Sequence, residues 1–131
     1  METVHIFIST GRFHSFEEMR AYIDETYSED GDGIPSEFMR EVKLSDYEPG
    51  CIEAIHHDEP VALSQLLDGA SYSDQWLSKL DGSRIADSAI CVFPPNQVGR
   101  PRASSLEYIG GFEHEVVFDE KFLRIARGEL D

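Results

Sequence analysis

The run VHIFIS at residues 4–9 constrains the fold more than any other stretch of this chain. It is rich in β-branched and aromatic residues, which favour strands, and it ends at a Thr-Gly pair typical of a turn. Its apolar residues are nearly consecutive, so we expect a strand that is covered on both faces. A sheet that contains this strand therefore needs other elements packed against it.

The rest of the chain supplies both strands and helices. Further strand-like runs occur at residues 51–56, 89–93, 105–109 and 112–118, with a bulge predicted at the Gly-Gly pair between the last two. Capping signals and helical spacing predict helices at residues 16–25, 36–42, 61–67, 73–80 and 119–127. We expect one α+β domain spanning residues 1–131, with a mixed four- to five-stranded sheet and helices on at least one face.

The charge of the chain limits the class of partner. Its 131 residues include 26 acidic and 11 basic ones, a formal net charge of −15 at pH 7. So negative a surface repels phosphate, which argues against nucleic acid or an anionic membrane as a direct partner. No apolar run approaches the roughly 18 residues of a membrane span. A basic protein or a cation is the more natural counterpart.

The N-terminus and the cysteines indicate the compartment. The first residues lack the basic and long apolar regions of a secretory signal, so we expect a cytoplasmic protein. Cys51 and Cys91 both lie in apolar runs and show no metal-binding spacing. We therefore expect small buried hydrophobic residues in a reducing environment, rather than a disulfide scaffold or reactive thiols.

The negative charge is concentrated in one third of the chain. Residues 25–68 contain twelve acidic and two basic residues, a net −10 over 44 positions. Aromatic residues lie within or just beyond this stretch, at Tyr27, Tyr47, Tyr72 and Trp76. Two interpretations remain open at this stage: a solvated face that keeps the protein soluble, or a docking surface for a basic protein, in which aromatic anchors are surrounded by charges.

Motifs with a defined chemistry are weak or absent. Residues 28–33 resemble the start of a calcium loop, but Ser28 and Met39 occupy positions where carboxylates are required, which favours a plain turn. His56 and His57 are adjacent and on a strand point to opposite faces, so a shared metal ion is disfavoured. We find no nucleophile motif or phosphate-binding loop, and we expect no cofactor and no enzymatic activity.

Six stretches together resemble one known family. They are STGRF at 9–13, DGDGIPS at 30–36, DYEPGCIE at 46–53, ASYSDQWL at 70–77, AICVF at 89–93 and SLEYIG at 105–110. The chain is similar over about residues 3–113 to the immunity protein 22 family of bacterial polymorphic-toxin systems, and the helix at 119–127 lies beyond that core. The resemblance implies a cytoplasmic, non-catalytic protein that binds and neutralises a cognate toxin, often a nuclease.

The leading hypothesis is therefore an immunity protein that binds a basic toxin domain through acidic residues and aromatic anchors. The candidate contacts are Glu29, Asp30, Asp32, Asp46, Tyr47, Glu48, Tyr72, Asp74 and Trp76. Trp76 has a competing interpretation as a core residue, because Leu77 and Leu80 follow it on a short helix. The alternatives are a small metal-dependent hydrolase that uses His56, His57 and carboxylates, or a general acidic interaction protein.

Overall fold

A computed structural model describes residues 1–116, and its centre is a four-stranded sheet. The predicted helix at 119–127 and the end of the predicted strand at 112–118 lie outside the described residues. The strands of the sheet are β1 (Glu2–Ser9), β5 (Ile52–Ala62), β6 (Ile85–Val92) and β8 (Glu107–His114). Four smaller strands are β2 (Thr26–Tyr27), β3 (Gly33–Ile34), β4 (Leu44–Ser45) and β7 (Gln97–Val98).

The helices lie between these strands. They are α1 (Phe16–Ile23), α2 (Glu37–Glu41), α3 (Leu63–Leu66) and α4 (Ser73–Trp76). The N-terminus of α1 is capped as predicted: the Ser15 hydroxyl accepts a hydrogen bond from the backbone N–H of Glu18 at 3.0 Å. Ser36 caps α2 in the same way through the N–H of Met39 at 3.1 Å. The α+β class is confirmed.

The main sheet is antiparallel throughout, whereas a mixed sheet was predicted. Its order is β5-β6-β1-β8, and each neighbouring pair is antiparallel. The chain passes from β1 through α1 and α2 to β5, which runs in the same direction as β1, but β6 is inserted between them. No parallel strands are therefore adjacent, and the early alternation of strands and helices in the sequence does not produce a parallel pair.

Helices cover both faces of the sheet. On one face, α1 and α2 bury an apolar cluster that includes Phe7, Met19, Phe38 and Ile90. On the other face, α3 and α4 bury a second cluster that includes Ile6, Leu67, Trp76 and Cys91. β1 contributes consecutive residues to opposite clusters, which explains its uninterrupted apolar run. The expectation that this strand is covered on both faces is confirmed.

The Gly-Gly pair of β8 marks an irregularity in the sheet, as predicted. The register between β1 and β8 shifts where Ile6 pairs with Gly110 and Phe7 pairs with Tyr108. Gly110 has a φ of +140°, which a residue with a side chain rarely adopts. The two predicted strands on either side are thus one bent strand. Among the described residues, no helix combines the length and the apolar character needed to cross a membrane.

Candidate partner-binding surface

The acidic residues 29–32 form the turn of a small hairpin. β2 and β3 pair antiparallel, and the turn between them is closed by the Ser28 N–H, which donates to the Asp32 carbonyl at 2.9 Å. The Ser28 hydroxyl accepts from the Asp32 N–H at 3.1 Å, and Gly31 has a φ of +85°. Ser28 therefore builds the turn, and the side chains of Glu29, Asp30 and Asp32 are exposed to solvent.

A second acidic loop, residues 46–48, is held by hydrogen bonds to the segment that follows β6. The Asp46 carboxylate accepts from the Gln97 amide at 3.0 Å. The backbone of Glu48 exchanges two hydrogen bonds with the Asn96 side chain, at 2.8 Å and 3.0 Å. The Glu48 carboxylate also accepts from the N–H of Gly50 at 3.1 Å. Both carboxylates are exposed while their backbone positions are fixed.

Tyr47 connects the second acidic loop to the base of the hairpin. Its hydroxyl donates to the Asp24 carboxylate at 3.2 Å and accepts from the Glu25 N–H at 3.2 Å, next to the start of β2. Burial and the Asp24 carboxylate raise the pKa of Tyr47. Because of this connection, we define the acidic surface as Glu29, Asp30, Asp32, Asp46 and Glu48 together with Tyr47. Six of the nine predicted contact residues thus lie on the hairpin turn and on the loop that Tyr47 connects to the residues just before β2.

The carboxylates of the acidic surface form no ion pair with the described residues. The described residues form three ion pairs, which join Arg12 to Glu37, Arg20 to Asp24, and Arg84 to Glu107. None of these carboxylates is a member of the acidic surface. Between residues 1 and 116, its five carboxylates thus lie beyond 4.0 Å of any basic side chain, and their field is available to a positively charged partner.

The other three predicted contact residues lie on the opposite side of the sheet. Tyr72, Asp74 and Trp76 belong to the segment around α4, which covers the cluster opposite to α1 and α2. Trp76 is fully buried, and its indole N–H donates to the Ser71 carbonyl at 3.1 Å. Its use as an exposed anchor is therefore wrong, and the competing interpretation as a core residue is correct.

The Tyr72 side chain is half-buried rather than fully exposed. Its ring stacks on the buried ring of His114, with centroids 4.9 Å apart. Asp74 remains exposed on α4. The structure therefore does not join Tyr72 and Asp74 to the acidic surface.

Two exposed hydrophobic side chains of the hairpin are not among the predicted contact residues. Tyr27 is 67% exposed and Ile34 is 46% exposed, on β2 and β3 respectively. A hydrogen bond to the Glu25 carboxylate raises the pKa of Tyr27. A signal existed in the sequence: an aromatic residue directly before a Ser-Glu-Asp-Gly turn is next to a hairpin tip and has little opportunity to be buried. Tyr27 is thus an exposed aromatic residue directly before the acidic turn.

The residues of the hydrolase hypothesis do not converge. His56 Nδ1 lies 2.9 Å from the Ser88 hydroxyl on β6, while His57 lies at the irregular part of β5. Among the described residues, no group of three or more His, Cys, Asp or Glu side chains could hold a metal ion.

The two thiols differ in their exposure. Burial raises the pKa of the Cys91 thiol, and this residue behaves as a core hydrophobe, as expected. Cys51 is half-buried, and neither cysteine is in a disulfide.

The structure combines an α+β fold, with helices on both faces of the main sheet, and an acidic surface that forms no ion pair with the described residues. The chain belongs to the family described as Immunity protein 22, whose sequence model matches residues 4–115. This match confirms the resemblance found in the sequence and supports a toxin-neutralising role. Family membership also suggests that this role is non-catalytic. No curated protein and no solved structure is significantly similar to the chain.

Proposed function

We propose that this protein acts in the cytoplasm as a single domain that neutralises a cognate toxin by binding it directly. The observation that supports this proposal most strongly is the family match over residues 4–115. In this proposal the protein needs no cofactor and performs no reaction. The toxin is a basic, nuclease-type domain, and the acidic surface is where it binds.

The physical basis is charge complementarity. A nuclease binds the phosphates of its substrate with Lys and Arg side chains, so its active-site cleft is basic. The acidic surface presents five carboxylates at fixed backbone positions, and these can occupy such a cleft in place of phosphates. Opposite fields also accelerate association, towards about 10⁸–10⁹ M⁻¹s⁻¹ at low salt. Rapid capture is useful against a toxin that damages its host quickly.

Affinity needs more than charge, because exposed ion pairs each contribute little. Interfaces commonly have a few apolar or aromatic anchors surrounded by polar residues. Tyr27 and Ile34 fit that description, because both are exposed and both lie on the hairpin that presents Glu29, Asp30 and Asp32. In our proposal these two residues are anchors, and the carboxylates provide steering and specificity.

The test is co-expression with the product of the adjacent reading frame. We expect that product to be toxic alone, harmless when this chain is present, and recovered in a complex with it. A charge-neutralised chain (Asp30→Asn, Asp32→Asn, Asp46→Asn, Glu48→Gln) should rescue less well. These substitutions retain the side-chain oxygens that accept hydrogen bonds from Gln97 and Gly50. A harmless neighbour, or killing that is unaffected by this chain, would contradict the proposal.

A further inference from the structure

Strand β5 is an edge of the main sheet, and its outward backbone groups are only partly satisfied. Along an antiparallel strand, residues alternate between bonding the paired strand and pointing away from it. The Cys51 carbonyl accepts a hydrogen bond from the Phe93 N–H at 2.9 Å. In this half of β5 the backbone groups of odd-numbered residues therefore bond towards β6, and those of Ile52 point outward. Both outward backbone groups of Ile52 are occupied. Its N–H donates to the Pro49 carbonyl, and its carbonyl accepts from the Arg20 guanidinium at 2.8 Å.

The next two outward residues, Ala54 and His56, have no such partners. Among residues 1–116, no hydrogen bond occupies their outward N–H and C=O groups. The His56 side chain bonds to Ser88, but this leaves its backbone free. Two N–H donors and two carbonyl acceptors are thus aligned along an unpaired edge, in the arrangement that an additional strand would complete.

The second half of β5 differs from the first. Its register with β6 breaks between His56 and Val61. The intervening segment contains Asp58, Glu59 and Pro60, all exposed. A bulge, charged residues and a proline are the features that natural proteins use to prevent pairing at a sheet edge. These features are absent from residues 52–56, apart from Glu53, whose carboxylate is bound to the N–H of Ser71 at 3.0 Å. The first half of β5 is therefore open to pairing and the second half is protected.

Residues 52–55, in the open half of β5, line a groove together with side chains from both helical layers. The groove has a volume of about 560 Å³. Phe16 and Arg20 of α1 line one wall, and Gln65 and Leu66 of α3 line the other. Since α1 and α3 cover opposite faces of the sheet, they bracket its edge where a fifth strand would continue it. Half-exposed Phe16 offers such a strand an apolar contact.

The charges along this edge determine which segment fits. Arg20 is the only Lys or Arg among the described residues that line the groove, and it is paired with Asp24. The carboxylates at the groove and farther along β5 are those of Glu53, Asp58, Glu59 and Asp68. A second copy of the chain would bring the same carboxylates together, and each copy has a net charge of −15. An extended segment rich in Lys or Arg meets complementary charge instead.

We propose that a basic segment of the partner adds to this sheet as a fifth strand, paired with residues 54–56 of β5. This inference rests on the proposed function, because the partner is the toxin. It adds a binding mode: backbone hydrogen bonds at the sheet edge provide affinity, while the acidic surface steers the approach. The occupied carbonyl of Ile52 limits the added strand at one end, and the bulge after His56 limits it at the other.

Amide hydrogen exchange on the full chain tests this binding mode. The probe is the product of the adjacent reading frame, inactivated by one substitution at its own active site. In the free chain, the amides of Ala54 and His56 should exchange faster than those of Glu53 and Ile55, which face β6. In the complex, both outward amides should become slow.

The outcomes separate the two proposals. If the complex forms and the amides of Ala54 and His56 remain fast, strand addition is overturned while toxin binding stands. If no complex forms, both proposals fail. Slow exchange of these amides in the free chain at every concentration would mean that the chain covers its own edge. Slow exchange that appears only as concentration rises would mean pairing between copies. Either result would overturn the inference.

A variant pair tests the same hydrogen bonds by affinity. Ala54→Pro removes one outward donor and leaves the bonds to β6, and proline is tolerated where the N–H of an edge strand faces solvent. Ala54→Ser keeps the N–H at the same position and serves as the control. We expect at least about tenfold weaker binding for the proline variant and little change for serine. Equal affinities would overturn the inference, and the exchange measurement decides the matter if the proline variant does not fold.

Discussion

Two segments of this chain begin alike and occupy opposite environments. Residues 27–32 read YSEDGD and residues 72–76 read YSDQW, so each starts with tyrosine, serine and an acid. In the first segment the tyrosine is 67% exposed on a hairpin. In the second, the chain enters α4 and the tryptophan is completely buried. An aromatic residue among acids is therefore not enough to identify a contact surface.

The residues that follow decide the outcome. After Tyr27 come Gly31 and Gly33, and the positive φ of Gly31 turns the chain back on itself. Gly33 packs so closely against the Glu25 carboxylate that a side chain would not fit without displacing it. After Tyr72, the apolar residues Trp76, Leu77 and Leu80 continue at helical spacing and pack on the sheet. Turn-forming glycines thus keep the first segment exposed, whereas apolar residues at helical spacing bury the second segment.

The largest effect predicted from this comparison concerns stability. Trp76→Ala should reduce the free energy of unfolding by about 3–5 kcal/mol, because it leaves a cavity in the cluster under α4. Tyr27→Ala should change it by no more than about 0.5 kcal/mol, because that ring is largely in water. Urea denaturation monitored by circular dichroism measures both values. Similar losses in the two variants would show that the segments are not as different as the structure indicates.

The elements that could be predicted are those with local signals. The caps at Ser15 and Ser36, the buried character of β1 and the bulge at Gly110 all follow from short-range patterns, and the structure confirms them. The antiparallel order could not be predicted, since the insertion of β6 between β1 and β5 depends on pairing between distant residues. Strand β5 also extends six residues past the predicted end at His56. The extension passes through a bulge, and the charged HDEP sequence at residues 57–60 lacks the pattern of a strand.

The candidate surface was predictable only in part. The charge density of residues 25–68 indicates the region, but the grouping of the two loops depends on one hydroxyl, that of Tyr47. Tyr72 and Trp76 were assigned to the same surface because they are aromatic and near acids in sequence. Tertiary packing places them over the other face of the sheet. Proximity in sequence is thus a weak guide to proximity on a surface when a sheet separates two helical layers.

The next prediction concerns the connection between the two loops. Tyr47→Phe removes the hydroxyl that bonds to the Asp24 carboxylate and the Glu25 N–H. We expect a loss of about 1 kcal/mol in unfolding free energy and faster amide exchange in β2 and β3. Tyr27→Phe deletes the same atom on an exposed ring and is the matched control, for which we expect a smaller change. If the two variants behave alike, Tyr47 does not hold the loops together.

The smallest predicted effect is a pH dependence of stability that arises from His5, on β1 of the main sheet. Burial lowers the pKa of His5 below its ordinary value of 6.5, so the folded state favours the neutral ring. As pH falls through 6.5, the unfolded chain takes up this proton first, and the stabilising contribution of the neutral ring is lost below that pH. We expect the wild-type chain to lose more stability than His5→Gln between pH 7.5 and pH 5.5. Identical losses, measured by urea denaturation, would mean that His5 does not contribute.

Association kinetics with the inactivated toxin test the central claim most directly. Two variants each remove four negative charges: one at the acidic surface (Asp30→Asn, Asp32→Asn, Asp46→Asn, Glu48→Gln), and one at exposed residues elsewhere (Glu2→Gln, Asp74→Asn, Glu113→Gln, Glu115→Gln). Both have the same net charge, so only the position differs. We predict that the first associates roughly tenfold more slowly at low salt, with a flatter salt dependence, while the second stays near wild type. Equal slowing of both, or of neither, would contradict the assignment of the acidic surface as the docking site.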